Sequence, residues 1–194
     1  MRLHHHVRTL FAAGMLIVVS AVHAEEERRE LGPHVHGHGT LVIVVEDNNL
    51  QMELSAPGMD IVGFEYEPET ARERKAVEDA LADLKEPLKL ITLPESAGCT
   101  VTSADASIAV KDHEDHDEAA GAEKTAETDE KEGRHTEFRA SYALACADTA
   151  SITSIYFPFF NRFSGSEMLA VTTITDNGQS SYEVTREVRR LEEM

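Results

Sequence analysis

Between Lys111 and Arg134 the chain runs for 24 residues without one Leu, Ile, Val or aromatic side chain, and it carries ten acidic and four basic residues there. A stretch of that composition buries too little apolar surface to offset the entropy of ordering it. Whatever core this chain builds must therefore be closed by the residues on either side. The sequence predicts a flexible, disordered acidic insertion over 111–134, set between two strands. The only two cysteines, Cys99 and Cys146, bracket it.

The start of the chain says where those cysteines work. Arg2 and Arg8 precede an apolar run from Leu10 to Val22, and Val22-His23-Ala24 offers small side chains at the positions a signal peptidase reads. Residues 1–24 are predicted to be a cleaved signal peptide that delivers the chain to the periplasm. The run is shorter than the roughly 20 residues needed to cross a bilayer, and no cysteine follows it to carry a lipid. No membrane anchor is expected after processing. In an oxidising compartment the two cysteines are predicted to form one disulfide, a closure worth on the order of 4 kcal/mol in the chain-entropy model. A redox role would call for a close CxxC pair, which is missing.

Removing 1–24 takes away Arg2, Arg8 and four histidines, His4, His5, His6 and His23, and leaves 16 basic and 36 acidic residues, a charge of −20. Such a surface repels phosphate backbones and anionic lipid and concentrates cations. Nucleic acid is excluded as a partner. Six histidines remain: His34, His36, His38, His113, His116 and His135.

After a flexible lead-in over 25–33, residues 34–194 are predicted to form a single metal-binding domain. Thr40 to Glu46 is a β-branched apolar run, and Leu50, Met52 and Leu54 alternate with polar residues beyond a turn at Asp47-Asn48-Asn49, which together predict a hairpin. Pro57-Gly58 ends it. Apolar Ala76, Val77, Ala80, Leu81 and Leu84 recur at helical spacing, predicting one main helix over 68–85 that stops before Pro87. Further strands are expected at 88–93, 99–110, 136–146, 151–160, 167–175 and 180–184, with the tail from Thr185 open between a short helix and an extended end. The fold class is α+β, mostly antiparallel β. Tyr156, Phe157, Phe159, Phe160 and Phe163 read as core.

The densest chemical signal is His34-Val35-His36-Gly37-His38. In an extended segment alternate side chains share a face, which would bring three imidazoles to one side with about 6.8 Å between neighbouring Cα atoms. That spacing suits a Zn(II) site built from nitrogen and oxygen donors. His135, at the strand after the insertion, and Glu65, between Phe64 and Tyr66, are the candidates to complete it. Glu65 reads equally as a ligand, as an anchor for one, or as an exposed side chain. His113-Glu114-Asp115-His116 places two histidines among carboxylates inside the insertion, suited to weak metal capture or to simple solvation. It is not the HExxH of metalloproteases, whose histidines lie four apart on a stable helix. GxSxG, GxxxxGK and GxGxxG signatures are all missing, so a non-enzymatic role is expected.

Several motifs in order resemble the exported zinc-regulated ZrgA-like proteins of Gram-negative bacteria. They are His34-Val35-His36-Gly37, the run from Met59 to Glu65 before the helix, Leu93-Pro94 through Ala97-Gly98-Cys99, a His- and acid-rich insertion, His135-Thr136-Glu137-Phe138 leading to Tyr142 and Cys146, and Gly178-Gln179. The resemblance implies a periplasmic zinc-binding accessory of an uptake system, with His34 and His36 as carried-over ligands. The chain departs from the pattern in having only His113 and His116 in its insertion, in an extra His38, and in Arg139 and Tyr66 where family members often have His.

The expectation is a protein that captures Zn(II) and assists its delivery to an uptake system, with a periplasmic component of a zinc transporter as a partner. Two other readings fit the residues. A copper(II) carrier would use the same histidines, although Met52, Met59 and Met168 are scattered rather than grouped as a soft Cu(I) site requires. A structural or protein-interaction module would leave the histidines incidental.

Overall fold

The computed structural model describes residues 35–112 and 134–192. The signal-peptide and lead-in readings, His34, His113 and His116 lie outside the described residues, as does the insertion between 113 and 133.

The predicted first hairpin forms from β1 (His38–Glu46) and β2 (Asn49–Pro57), which pair antiparallel with Leu41 opposite Leu54 and Ile43 opposite Met52. The next hairpin joins β3 (Thr100–Asp112) to β4 (Arg134–Ala145), and a third joins β6 (Met168–Thr175) to β7 (Gly178–Thr185). These six strands make one sheet in the order β3-β4-β2-β1-β6-β7. The sheet is mostly antiparallel, as expected, but β1 and β6 run parallel, with His38 opposite Met168.

Register explains why the sheet has one buried face. Leu54 stands opposite both Leu41 and Ala140, Met52 opposite Ile43 and Tyr142, and Leu50 opposite Leu144, and all of these side chains are buried. Side chains alternate in pairs, so a slip of one residue in any strand would turn its whole apolar set toward water. Against this face pack Val77, Ala80 and Leu84 of a 14-residue helix and the fully buried Phe157, Phe159, Phe160 and Phe163. The four phenylalanines of the expected aromatic cluster are thus core, while Tyr156 is half-buried. Arg186 ties the cluster down by donating to the carbonyl oxygens of Phe160 at 2.9 Å, Phe163 at 3.1 Å and Ser164 at 2.7 Å.

Four α-helices occur among the described residues: α1 (Gly58–Val62), α2 (Ala71–Leu84), α3 (Pro87–Leu90) and α4 (Phe159–Arg162). The helix expected over 68–85 is α2, and it starts three residues later because Thr70 caps it. Thr70 Oγ1 accepts from Glu73 N at 3.1 Å, while Glu73 Oε2 accepts from Thr70 N at 2.8 Å, a reciprocal box that fixes where the helix begins.

Two expected strands are corrected. Residues 88–93 hold one helical turn, α3, because Pro87 at its first position has its φ preset for a helix; only Thr92 then bridges to Tyr156. Residues 151–160 break up around Pro158, leaving just β5 (Ser154–Tyr156), which pairs with the extended tail at β8 (Arg190–Glu192). Three positions counted in the expected insertion are strand instead. Lys111 and Asp112 lie in β3 and Arg134 in β4, pairing Asp112 with Arg134 and Lys111 with His135.

Cys99 and Cys146 form a disulfide immediately outside the Thr100–Ala145 pair. The β3–β4 hairpin is therefore stapled at one end and opens into the segment 113–133 at the other, beside His135. Because the bridge joins segments 47 positions apart, replacing Cys99 and Cys146 by Ala is expected to lower the unfolding free energy by roughly 2 to 5 kcal/mol. Urea titration of oxidised and variant proteins checks this; coincident midpoints would contradict it.

Candidate metal centre

Glu65 lies at the meeting point of three segments. Leaving β2, the chain turns through α1, stops at Gly63, whose N–H donates to Met59 O at 3.1 Å, and reaches Glu65 two residues on. The carbonyl of Glu65 then accepts from Thr136 N at 2.8 Å, which fastens it beside the start of β4. Phe64 is buried and stacks on Tyr66 with ring centroids 5.1 Å apart. The Glu65 side chain is consequently only 10% exposed, which excludes the exposed reading of this residue.

Both carboxylate oxygens are engaged. His36 Nε2 meets Oε1, and His135 Nδ1 meets Oε2. The two imidazoles are more accessible than the carboxylate they share, at 58% and 33% exposed. The His36 contact is an ion pair and leaves Oε1 without a hydrogen bond, whereas His135 Nδ1 and Oε2 make a hydrogen bond whose donor depends on the imidazole tautomer.

His36 reaches Glu65 because the segment before β1 is not extended. His38 N donates to Val35 O at 3.1 Å, closing a turn in which Gly37 takes φ +83°. That left-handed conformation is comfortable only for glycine. The expectation of three imidazoles sharing one face through strict alternation is thereby corrected at Gly37. His38 is exposed at the first position of β1, and no contact brings it onto Glu65.

Two carboxylates escaped the sequence reading. Asp60, in α1, is 1% exposed; its Oδ1 accepts from Gly37 N at 2.7 Å, and its Oδ2 is buried without a partner. Burial pushes its pKa from 3.8 up to about 6, against the opposing pull of the Gly37 N–H and His36. Glu137, two residues after His135 on β4, is buried as well, accepting from Ser55 Oγ and, at 3.1 and 2.9 Å, from Nε and Nη2 of Arg139. Arg139 thus neutralises a carboxylate on the strand that carries His135.

The donor atoms at Glu65 are two nitrogens and carboxylate oxygen, a hard-to-borderline set that suits Zn(II) and also Cu(II). Among the described residues, no three His, Cys, Asp or Glu side chains stand around a common point with metal-holding spacing. Here the carboxylate itself occupies the space between the rings.

A model of ZrgA family zinc uptake proteins matches residues 33–192, a span that includes every described residue. The chain belongs to the ZrgA family. That membership ties it to zinc uptake and places His34, His36, Glu65 and His135 all inside the matched span. No curated protein matches it. As for membranes, no helix among the described residues is long and apolar enough to cross one.

The raised pKa of Asp60 has a definite sign. The folded state holds this proton more tightly than the unfolded chain, so the stability it contributes is complete below the ordinary value of 3.8 and is lost as pH rises through about 6. Asp60→Asn is expected to unfold with wild-type stability near pH 4 and to exceed it above pH 7 by on the order of 3 kcal/mol. Denaturation midpoints across that range check it; parallel pH profiles would contradict it.

Proposed function

We propose that this ZrgA family member captures Zn(II) in the periplasm and passes it toward an uptake system, with Glu65, His36 and His135 as the centre that holds the ion. One observation carries the reading: a nearly buried carboxylate engages, through its two oxygens, imidazoles from two segments far apart in sequence. Isolated buried carboxylates are costly. This one is retained where two metal-binding side chains converge on it.

An ion bound between the rings would meet two imidazole nitrogens and a carboxylate oxygen, each neutral ring then carrying its single proton on the outer nitrogen. Three protein ligands leave a coordination position open, and of the two rings His36 is exposed and His135 half-buried. Both features suit a carrier that must release its cargo. The net charge of −18 raises the local cation concentration and speeds capture. His34 and His38 flank His36 in sequence, and His113 and His116 follow β3 in sequence, as auxiliary donors for capture. The role we assign is carriage rather than catalysis. The copper(II) alternative has the same donors but no geometric feature of its own, and the family description names zinc.

Isothermal titration of the chain beginning at Glu25 with Zn(II) tests the reading. Binding at micromolar concentration or tighter is expected, weakened roughly tenfold or more by His36→Ala, His135→Ala or Glu65→Ala. The reading fails if no zinc binds at those concentrations, or if all three variants bind as the parent does.

A further inference from the structure

The Glu65 centre depends on a turn that holds none of its ligands except His36, and the group that fixes this turn lies in a different element. Gly37, next to His36, is gripped on both sides. Its carbonyl accepts from Glu167 N and Met168 N, each at 2.8 Å, where β6 begins. Its N–H donates to Asp60 Oδ1 at 2.7 Å. The first grip ties the turn to β6; the second ties it to α1, and so sets the direction in which His36 leaves the backbone.

We infer that Asp60 is a positioning residue for the metal centre, fixing His36 against Glu65 through the backbone N–H of Gly37. The inference rests on the proposed role of His36, Glu65 and His135 in holding zinc.

Asp60 itself cannot drift. A Cβ added at Gly165 would stand 2.7 Å from Asp60 O and 2.8 Å from Asp60 Cα, so the loop before β6 lies directly on its backbone. Only glycine permits that approach. The five-residue helix carrying Asp60 also leads, through Gly63 and Phe64, into Glu65, so one short rigid segment supplies the central carboxylate and orients the first imidazole. The choice of residue is informative too. A carboxylate makes a shorter and stronger bond to a backbone N–H than an amide would, yet its second oxygen is left buried without a partner, an arrangement that costs stability. A side chain serving the fold alone would gain by being neutral.

Competition of zinc against a fluorescent chelator, on the chain beginning at Glu25, separates positioning from general stabilisation. Asp60→Ala is expected to weaken zinc binding about tenfold. Asp60→Asn, which keeps an oxygen acceptor in place for Gly37, is expected to recover most of that loss. Asp60→Glu, which keeps the charge but moves the acceptor by a methylene, is expected to remain weak, and it serves also if the alanine variant does not fold. The decisive comparison is the double variant: His36→Ala with Asp60→Ala should bind zinc no more weakly than His36→Ala alone, since Asp60 acts through His36. The inference is overturned if Asp60→Ala binds as the parent does, if Asp60→Asn is as weak as Asp60→Ala, or if Asp60→Ala repeats its full loss in the His36→Ala background. Unchanged affinity in His36→Ala and His135→Ala would instead overturn the zinc centre itself.

Discussion

A carboxylate can leave water only where partners meet it, and the arrangement around α1 follows from satisfying two of them within six residues. Glu65 is met by side chains, His36 and His135, and one oxygen of Asp60 by a backbone N–H, that of Gly37. These contacts draw together the turn before β1, the exit from β2 and the start of β4. They form a cross-brace at the end of the sheet opposite the disulfide.

The brace works because the sheet is already fixed. The buried apolar residues of β1, β2, β4 and β6 face one way, and the register that puts Leu54 opposite Ala140 also brings Pro57 opposite Glu137. Thr136 N is left at the right height to donate to Glu65 O. The energetics therefore run from sheet to site. Burial of the common face specifies register, register places β4 beside the exit from β2, and the site residues meet as a consequence. The staple at Cys99–Cys146 holds the far end of the same β3–β4 hairpin, so the strand that carries His135 is secured independently of any metal.

Much of this was legible in the sequence where local chemistry decides local structure. The β1–β2 hairpin and α2 follow from alternation and from helical spacing, and the disulfide follows from two cysteines in a chain read as exported. The strand expectations fail at Pro87 and Pro158, where a single ring that presets φ and lacks an N–H outweighs the apolar character of its neighbours. The start of α2 was available in Thr70-Ala71-Arg72-Glu73, a capping box that gives a sharper boundary than hydrophobic periodicity. The pairing of β5 with β8 joins two three-residue segments and carries no sequence pattern at all.

The site was legible as an inventory and not as a geometry. His36, Glu65 and His135 could be named because imidazole and carboxylate are the donors an exported, acidic chain would use, but Glu65 and His135 stand 70 positions apart and meet only through sheet register. Asp60 was hidden, since one acid between Met59 and Ile61 has no local signature until Gly37 is seen beside it. The turn at Gly37 likewise defeats a reading that extends the histidine run as a strand, although it is this turn that carries His36 to Glu65. The most direct measurement is anomalous scattering at the zinc edge from crystals of the chain beginning at Glu25 grown with one equivalent of Zn(II). An anomalous peak about 2.0 to 2.2 Å from nitrogens of His36 and His135 and from a carboxylate oxygen of Glu65 is expected; a peak at other ligands with Glu65 still held between the two rings would contradict it.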